Sequence, residues 1–195
     1  MVVNGKELET YCPASREEWR AWLAENHRSK QSVWLLCYKK QSDKPSIPWS
    51  DAVDEALCFG WIDSTRKTVD EERFIQFFSK RKPTSTWSKI NKEKVERLIA
   101  ENQFTEAGFE SIEVARKNGS WNILDEVEEG IIPEDLQKAF EMHPGSQEFF
   151  VSLSKSVRKM MLHWVTFAKQ AETRQRRIGE LAEQAAMQQK PKQFR

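Results

Sequence analysis

Ala56-Leu57-Cys58-Phe59-Gly60-Trp61-Ile62-Asp63-Ser64 is the stretch that decides the fold, because a helical pattern stops there at a glycine and an aromatic-led extended pattern begins. Upstream, Ser50 is placed to cap the first helical turn, Asp51 and Asp54 suit its positive end, and Val53, Ala56 and Leu57 form an apolar stripe. Gly60 is the residue expected in a left-handed C-cap, with Trp61 folding back on the helix it has left. The corner aims Asp63, Ser64 and Arg66 in a defined direction.

Working outward, Ser15-Arg-Glu-Glu18 matches a helix capping box, and Trp19, Trp22 and Leu23 put apolar bulk on one face of a helix ending near residues 25–28. Val33 to Tyr38 is an apolar run of strand length, expected in the middle of a sheet. The polar stretch 39–48, with Pro45 and Pro48, reads as a loop. Beyond Gly60, residues 61–69 and 73–78 read as a hairpin turning at Asp70-Glu71-Glu72, which with 33–38 gives at least three strands.

From Thr84 the signals are helical: a helix started by Ser85 or Ser88, another over 105–117, a short one opened by Pro133, and a helix or helix pair through Val157, Met161, Trp164, Ile178, Leu181 and Ala185. Residues 188–195 lack an apolar pattern and are expected to fray. The expected fold class is α+β: a small, predominantly antiparallel sheet packed with helices over residues 1–125, then a helical C-terminal region over 126–195 packed on that core.

Composition narrows the function classes. The 195 residues carry a formal charge of +1, yet 66–97 has ten Lys/Arg against five Asp/Glu, 101–141 has three against eleven, and 155–195 has ten against three. Two basic regions about an acidic one suit a polyanion, a dimer contact or plain solubility. No apolar window is long enough to span a membrane, and Met1 to Glu7 lacks the pattern of an export signal, so a cytoplasmic location is expected. Cys12, Cys37 and Cys58 form no close pair and are odd in number; Cys37 and Cys58, in apolar stretches, read as reduced, buried thiols, and Cys58 is a structural or reactive thiol, with burial favoured by Leu57 and Phe59. His27, His143 and His163 are isolated, so no metal site is expected; no phosphate-binding glycine loop occurs either, and no cofactor is expected.

Two constellations remain. At the corner, Asp63 needs solvent or partners and can orient an arginine, with Trp61, Ser64 and Arg66 beside it. In Phe78-Ser79-Lys80-Arg81-Lys82-Pro83-Thr84-Ser85-Thr86-Trp87-Ser88-Lys89-Ile90-Asn91, cations, hydroxyls and an aromatic ring meet at a strand-to-helix transition, where Arg81 and the first-turn amides can hold an anion. Ordinary capping and solubility use the same residue types.

These stretches, together with Val33-Trp34-Leu35 and Ala168-Lys169-x-x-Glu172-Thr173-Arg174-x-x-Arg177-Ile178, resemble the bacteriocin-protection family, also described as YdeI/OmpD-associated proteins. The resemblance implies a small α+β bacterial protein with a helical C-terminal part and an association with tolerance of bacteriocins or antimicrobial peptides; it implies no catalytic mechanism. The leading expectation is a non-enzymatic binding protein for a small anion or a protein partner, using Trp61, Asp63, Ser64, Arg66, Arg81, Ser85, Trp87, Ser88 and Asn91. The alternatives are a small enzyme with Asp63 as acid or base and Arg81 stabilising charge, and a nucleic-acid-binding protein.

Overall fold

The structure is a computed structural model that describes residues 2–3 and 6–195, with side chains from Leu8 onward. The stretch read for an export signal, Met1 to Glu7, lies outside the residues whose side chains are described. Two compact units are formed, Met1–Trp121 and Asn122–Arg195. A mixed α+β fold with a small sheet and a helical C-terminal region is what the chain adopts.

In the first unit, β1 (Val2–Val3) pairs with β2 (Lys6–Glu7), and a separate four-stranded sheet holds β3 (Thr10–Tyr11), β4 (Ser32–Tyr38), β5 (Trp61–Thr68) and β6 (Arg73–Lys80) in the order β3-β4-β6-β5. All pairings in that sheet are antiparallel except β3 with β4. β4 lies inside the sheet, as its continuous apolar run demands, and its alternate residues Val33, Leu35 and Cys37 are buried. The β5–β6 hairpin turns at Asp70, whose Oδ1 accepts from the backbone N–H groups of Glu72 and Arg73.

Helix α1 (Arg16–Asn26) begins at Ser15, whose hydroxyl accepts from the Glu18 N–H, while the Glu18 carboxylate accepts from the N–H of Ala14. Trp19 is fully buried, stacked 5.1 Å from Trp22, with its indole N–H donating to the Ala52 carbonyl. α2 (Trp49–Cys58) is buried at every position from Ala52 to Cys58. Ser50 does not cap it: Pro48 stands at the N-cap and makes no side-chain bond. The helix starts two residues earlier than a Ser50 cap requires, so Ser50 falls inside the first turn, where its hydroxyl accepts from Lys94 Nζ instead.

Burying α2 also buries two carboxylates. Glu55 is held by Arg16 and Arg20 at 2.5 and 2.6 Å, and Asp54 by Lys94 and Arg97. Each takes two cations, which offsets the desolvation that one partner would leave largely uncompensated. Asp54 therefore serves as an internal anchor rather than as a helix-end charge. α3 (Lys89–Ala100) is capped by Ser88, and α4 (Glu106–Lys117) follows it.

The second unit has α5 (Asp125–Glu129), α6 (Glu134–Glu141), α7 (Ser146–Ser152), α8 (Lys155–Thr166) and α9 (Ala171–Ala186) around Leu136, Phe150, Met161, Leu162, Val165 and Leu181. The long apolar periodicity is thus a helix pair. Residues 188–195, expected to fray, turn through a short 3-10 segment (Lys192–Phe194); Pro191 is buried and Phe194 packs on Trp164. No helix among the described residues is long and apolar enough to cross a membrane.

Candidate functional site

Gly60 has φ +72°, the left-handed conformation expected of it, and its carbonyl accepts from the Arg81 N–H at 2.9 Å. This bond fixes the point at which the chain leaves β6. Trp61 pairs with Lys80 across the hairpin, and its ring is buried in the same core cluster as α2, where it meets Trp22 of α1 edge-on at 5.9 Å and donates to the His27 carbonyl at 3.3 Å. Strand alternation puts it on the helix-covered face, where α1 ends. The end of α1, the Gly60 corner and the exit of β6 are thereby brought together.

Between them and α4 opens a cleft of about 270 Å³. Four cations line it, Arg28, Lys80, Arg81 and Lys82, against one carboxylate, Glu110. His27 lines it as well; its Nδ1 lies 2.9 Å from the Leu23 carbonyl, which can only accept, so Nδ1 carries the hydrogen of that bond. Phe59, Trp87, Ala107 and Ala115 supply apolar wall. Gly60 belongs to this wall because a Cβ there would come within 2.9 Å of the Ala107 carbonyl.

Arg81 is the unusual member. Its guanidinium lies 3.5 Å from the centroid of Trp87, which is 1% exposed, and Nη1 donates to the Thr86 carbonyl at 3.0 Å. Nε is buried with no partner among the described residues, and no carboxylate stands within ion-pair distance. Burial pulls its pKa down to about 10, against the opposing field of Asp63. It remains a cation at neutral pH. Contrast Arg16, Arg20 and Arg97, which are all matched to buried carboxylates.

The nine expected binding residues do not share one place. Arg81 and Trp87 line the cleft, and Trp61 supports it from inside the core. Asp63 does not orient Arg81: its Oδ2 accepts from the indole N–H of Trp49 at 2.9 Å and from Gln76 Nε2 at 3.2 Å. Ser64 gives its carbonyl to the same Gln76, and Arg66 stacks on Phe74 at 3.7 Å after a bulge that interrupts β5. Ser88 caps α3 by accepting from the Asn91 N–H, and the Ser85 N–H donates to the Lys82 carbonyl, so these three serve the loop and the helix start. Cys58 is buried, its carbonyl accepting from Thr105, and burial pushes its thiol up to about 11. Lys80 and Lys82 stand in the stretch already singled out. His27, Arg28 and Ser111 carry no local signal, since they join the cleft only through packing.

Among the described residues no group of three or more His, Cys, Asp or Glu is placed to hold a metal ion. Residues 129–188 match the family model described as Bacteriocin-protection, YdeI or OmpD-Associated, about a third of the chain. Of the stretches that carried the resemblance, only 168–178 falls inside that match; the corner and the 78–91 stretch do not. No curated protein and no solved structure matches the chain. A second model, described as a domain of unknown function (DUF8412), matches residues 11–111 and takes in the four cations of the cleft. Since this match covers more than half of the sequence, the chain belongs to the family of the domain of unknown function DUF8412.

Proposed function

We propose that the protein is a binding protein for a small anionic ligand, a phosphate- or carboxylate-bearing metabolite seated in the cleft beside Arg81. One observation carries this reading: a half-buried guanidinium with no carboxylate partner and a buried, unpartnered Nε, beside an opening rimmed by three more cations. An incoming anion would supply the missing partner, in a place where charge-assisted hydrogen bonds are strengthened by low polarisability. The apolar wall of Phe59, Ala107 and Ala115 would accept the ligand's carbon skeleton. An acid–base role for Asp63 draws no support from its place, since its partners are Trp49 and Gln76 and it does not line the cleft. The match at 129–188 is what supports a contribution to antimicrobial-peptide or stress tolerance, and three free thiols suit a reducing, cytoplasmic setting.

The test is calorimetric titration of the purified chain with pyrophosphate, citrate and a labelled single-stranded oligonucleotide over a salt series. Saturable binding of a small anion is expected, weakened about ten-fold or more by Arg81→Met, because a hydrogen bond to a charged group contributes ~1.5–3 kcal/mol. Lys82→Ala, at an exposed position, should weaken it less. Unchanged affinity in a correctly folded Arg81→Met protein would overturn the reading. Oligonucleotide binding that falls steeply with salt and is not displaced by pyrophosphate would favour nucleic acid instead.

A further inference from the structure

A second opening lies wholly within the second unit. α8 and α9 are separated by the short non-helical stretch 167–170, and the C-terminal segment returns across them. Phe194 meets Trp164 edge-on at 5.7 Å, and Arg195 is tied back through Nη2 to the Gln184 and Gln189 side chains and through Nε to the Lys190 carbonyl. Folded this way, the tail forms one wall of a groove of about 640 Å³. Met160 and Trp164 of α8 and Phe167 just past its end form the opposite side, and Leu124 and Val127 line it too. A volume of this size, with a mainly apolar and aromatic surface to which His163, stacked on Phe167 at 4.2 Å, and Gln193 add polar edges, falls in the range of small-molecule sites.

The charges at the groove are unequal. Glu128 and Lys159 pair with each other and cancel. Arg177 has no carboxylate partner among the described residues: it lies 5.1 Å from the Trp164 ring and donates Nη1 to the Trp164 carbonyl, which leaves Nε and Nη2 for a ligand. Arg174, one turn earlier, is by contrast matched to Asp135 by a two-point contact. An apolar channel with one unmatched cation is the complement of an apolar body with one negative end.

We propose that this groove binds an amphipathic organic acid, with its chain or ring among Met160, Trp164, Phe167 and Phe194 and its carboxylate on Arg177. The site is separate from the Arg81 cleft and does not depend on it. Its occupant is a free acid of modest length, because the folded-back tail closes one side of the groove.

Octanoate and 1-octanol, which share a chain and differ in charge, test the assignment by calorimetry on the full-length protein. Octanoate is expected to bind one equivalent, about ten-fold or more tighter than octanol, as a charged hydrogen-bonded pair adds to the apolar term. Arg177→Met should erase that preference while leaving octanol affinity in place. Met160→Glu, at a half-exposed position that tolerates a polar side chain, should weaken both ligands. Equal affinities for the two ligands, or binding indifferent to both variants, would overturn the proposal. So would a dimer, seen by light scattering, that Met160→Glu converts to monomer, because a second copy would then be the occupant.

Discussion

Arg81 and Glu55 show two ways of keeping a charge inside this protein. Glu55 is 1% exposed and is held by two arginines, a closed arrangement with nothing left to offer. Arg81 rests on a tryptophan face and a carbonyl, which lowers the cost of burial without matching the charge. The cysteines follow the same logic of burial. Cys37 and Cys58 are both pushed up to about 11, chiefly by desolvation, whereas Cys12 is exposed. Against an ordinary thiol pKa of 9.0, that leaves roughly a hundredfold less thiolate at pH 8. A disulfide-exchange reagent at pH 8 should therefore titrate one thiol quickly in the native protein and three after denaturation; two fast native thiols would contradict the burial. Because the folded pKa values are raised, the stability linked to these thiols is complete below pH 9 and is lost as pH rises towards 11.

At the scale of elements, the corner depends on two glycines that let α4 approach the end of α2. A Cβ on Gly60 would meet the Ala107 carbonyl at 2.9 Å, and φ is +72°, so Gly60→Ala pays both for the contact and for a left-handed backbone, about 1–2 kcal/mol for the latter. Gly108 has ordinary backbone geometry, but a Cβ there would lie 2.4 Å from the Cys58 carbonyl, a backbone atom of α2 that cannot move aside. Gly179, inside α9, has nothing within 4 Å of a built Cβ. Thermal melts should thus show Gly108→Ala and Gly60→Ala lowering the midpoint, and Gly179→Ala raising it by the ~0.5–1 kcal/mol that alanine gains in a helix. For a chain of this length each kcal/mol is worth about 2–4 °C. A Gly179→Ala protein no more stable than the parent would sink the argument from open space.

For the whole molecule, charge counted along the chain and charge presented in space differ. Residues 66–97 are strongly basic, but Lys94 and Arg97 are consumed by buried Asp54, and the cations left for the cleft, Lys80 to Lys82, are joined there by Arg28 from the end of α1. The formal net charge of +1 and a pI near 7.7 follow from the sequence alone. With so little net repulsion near neutrality, solubility at low salt should pass through a minimum near pH 7.7 and rise on either side. Turbidity against pH checks this, and a minimum displaced by two units or more would mean that strongly shifted groups have been overlooked.

Much of the architecture was legible locally. The Ser15 capping box, the β4 run, the Gly60 stop, the hairpin about Asp70 and the periodicity of the last two helices each act over a few neighbouring residues, and each formed much as its pattern required. The start of α2 differs by two residues from a Ser50 cap, because Ser50 and Pro48 compete for the same entry and only the packed helix chooses between them. The cleft was half legible. Arg81 and Trp87 stood out by residue type, while Asp63 was assigned to the wrong partner and His27 and Arg28 were invisible. The sequence by itself determined the longer helices and strands, though not the short β3, α5 and α7, because caps, glycine backbone freedom and apolar period are short-range effects that need several residues to act. Only the tertiary structure decided which cations are spent on buried carboxylates and which remain free, because pairing and desolvation depend on segments such as α1, β6 and α4 converging from distant parts of the chain.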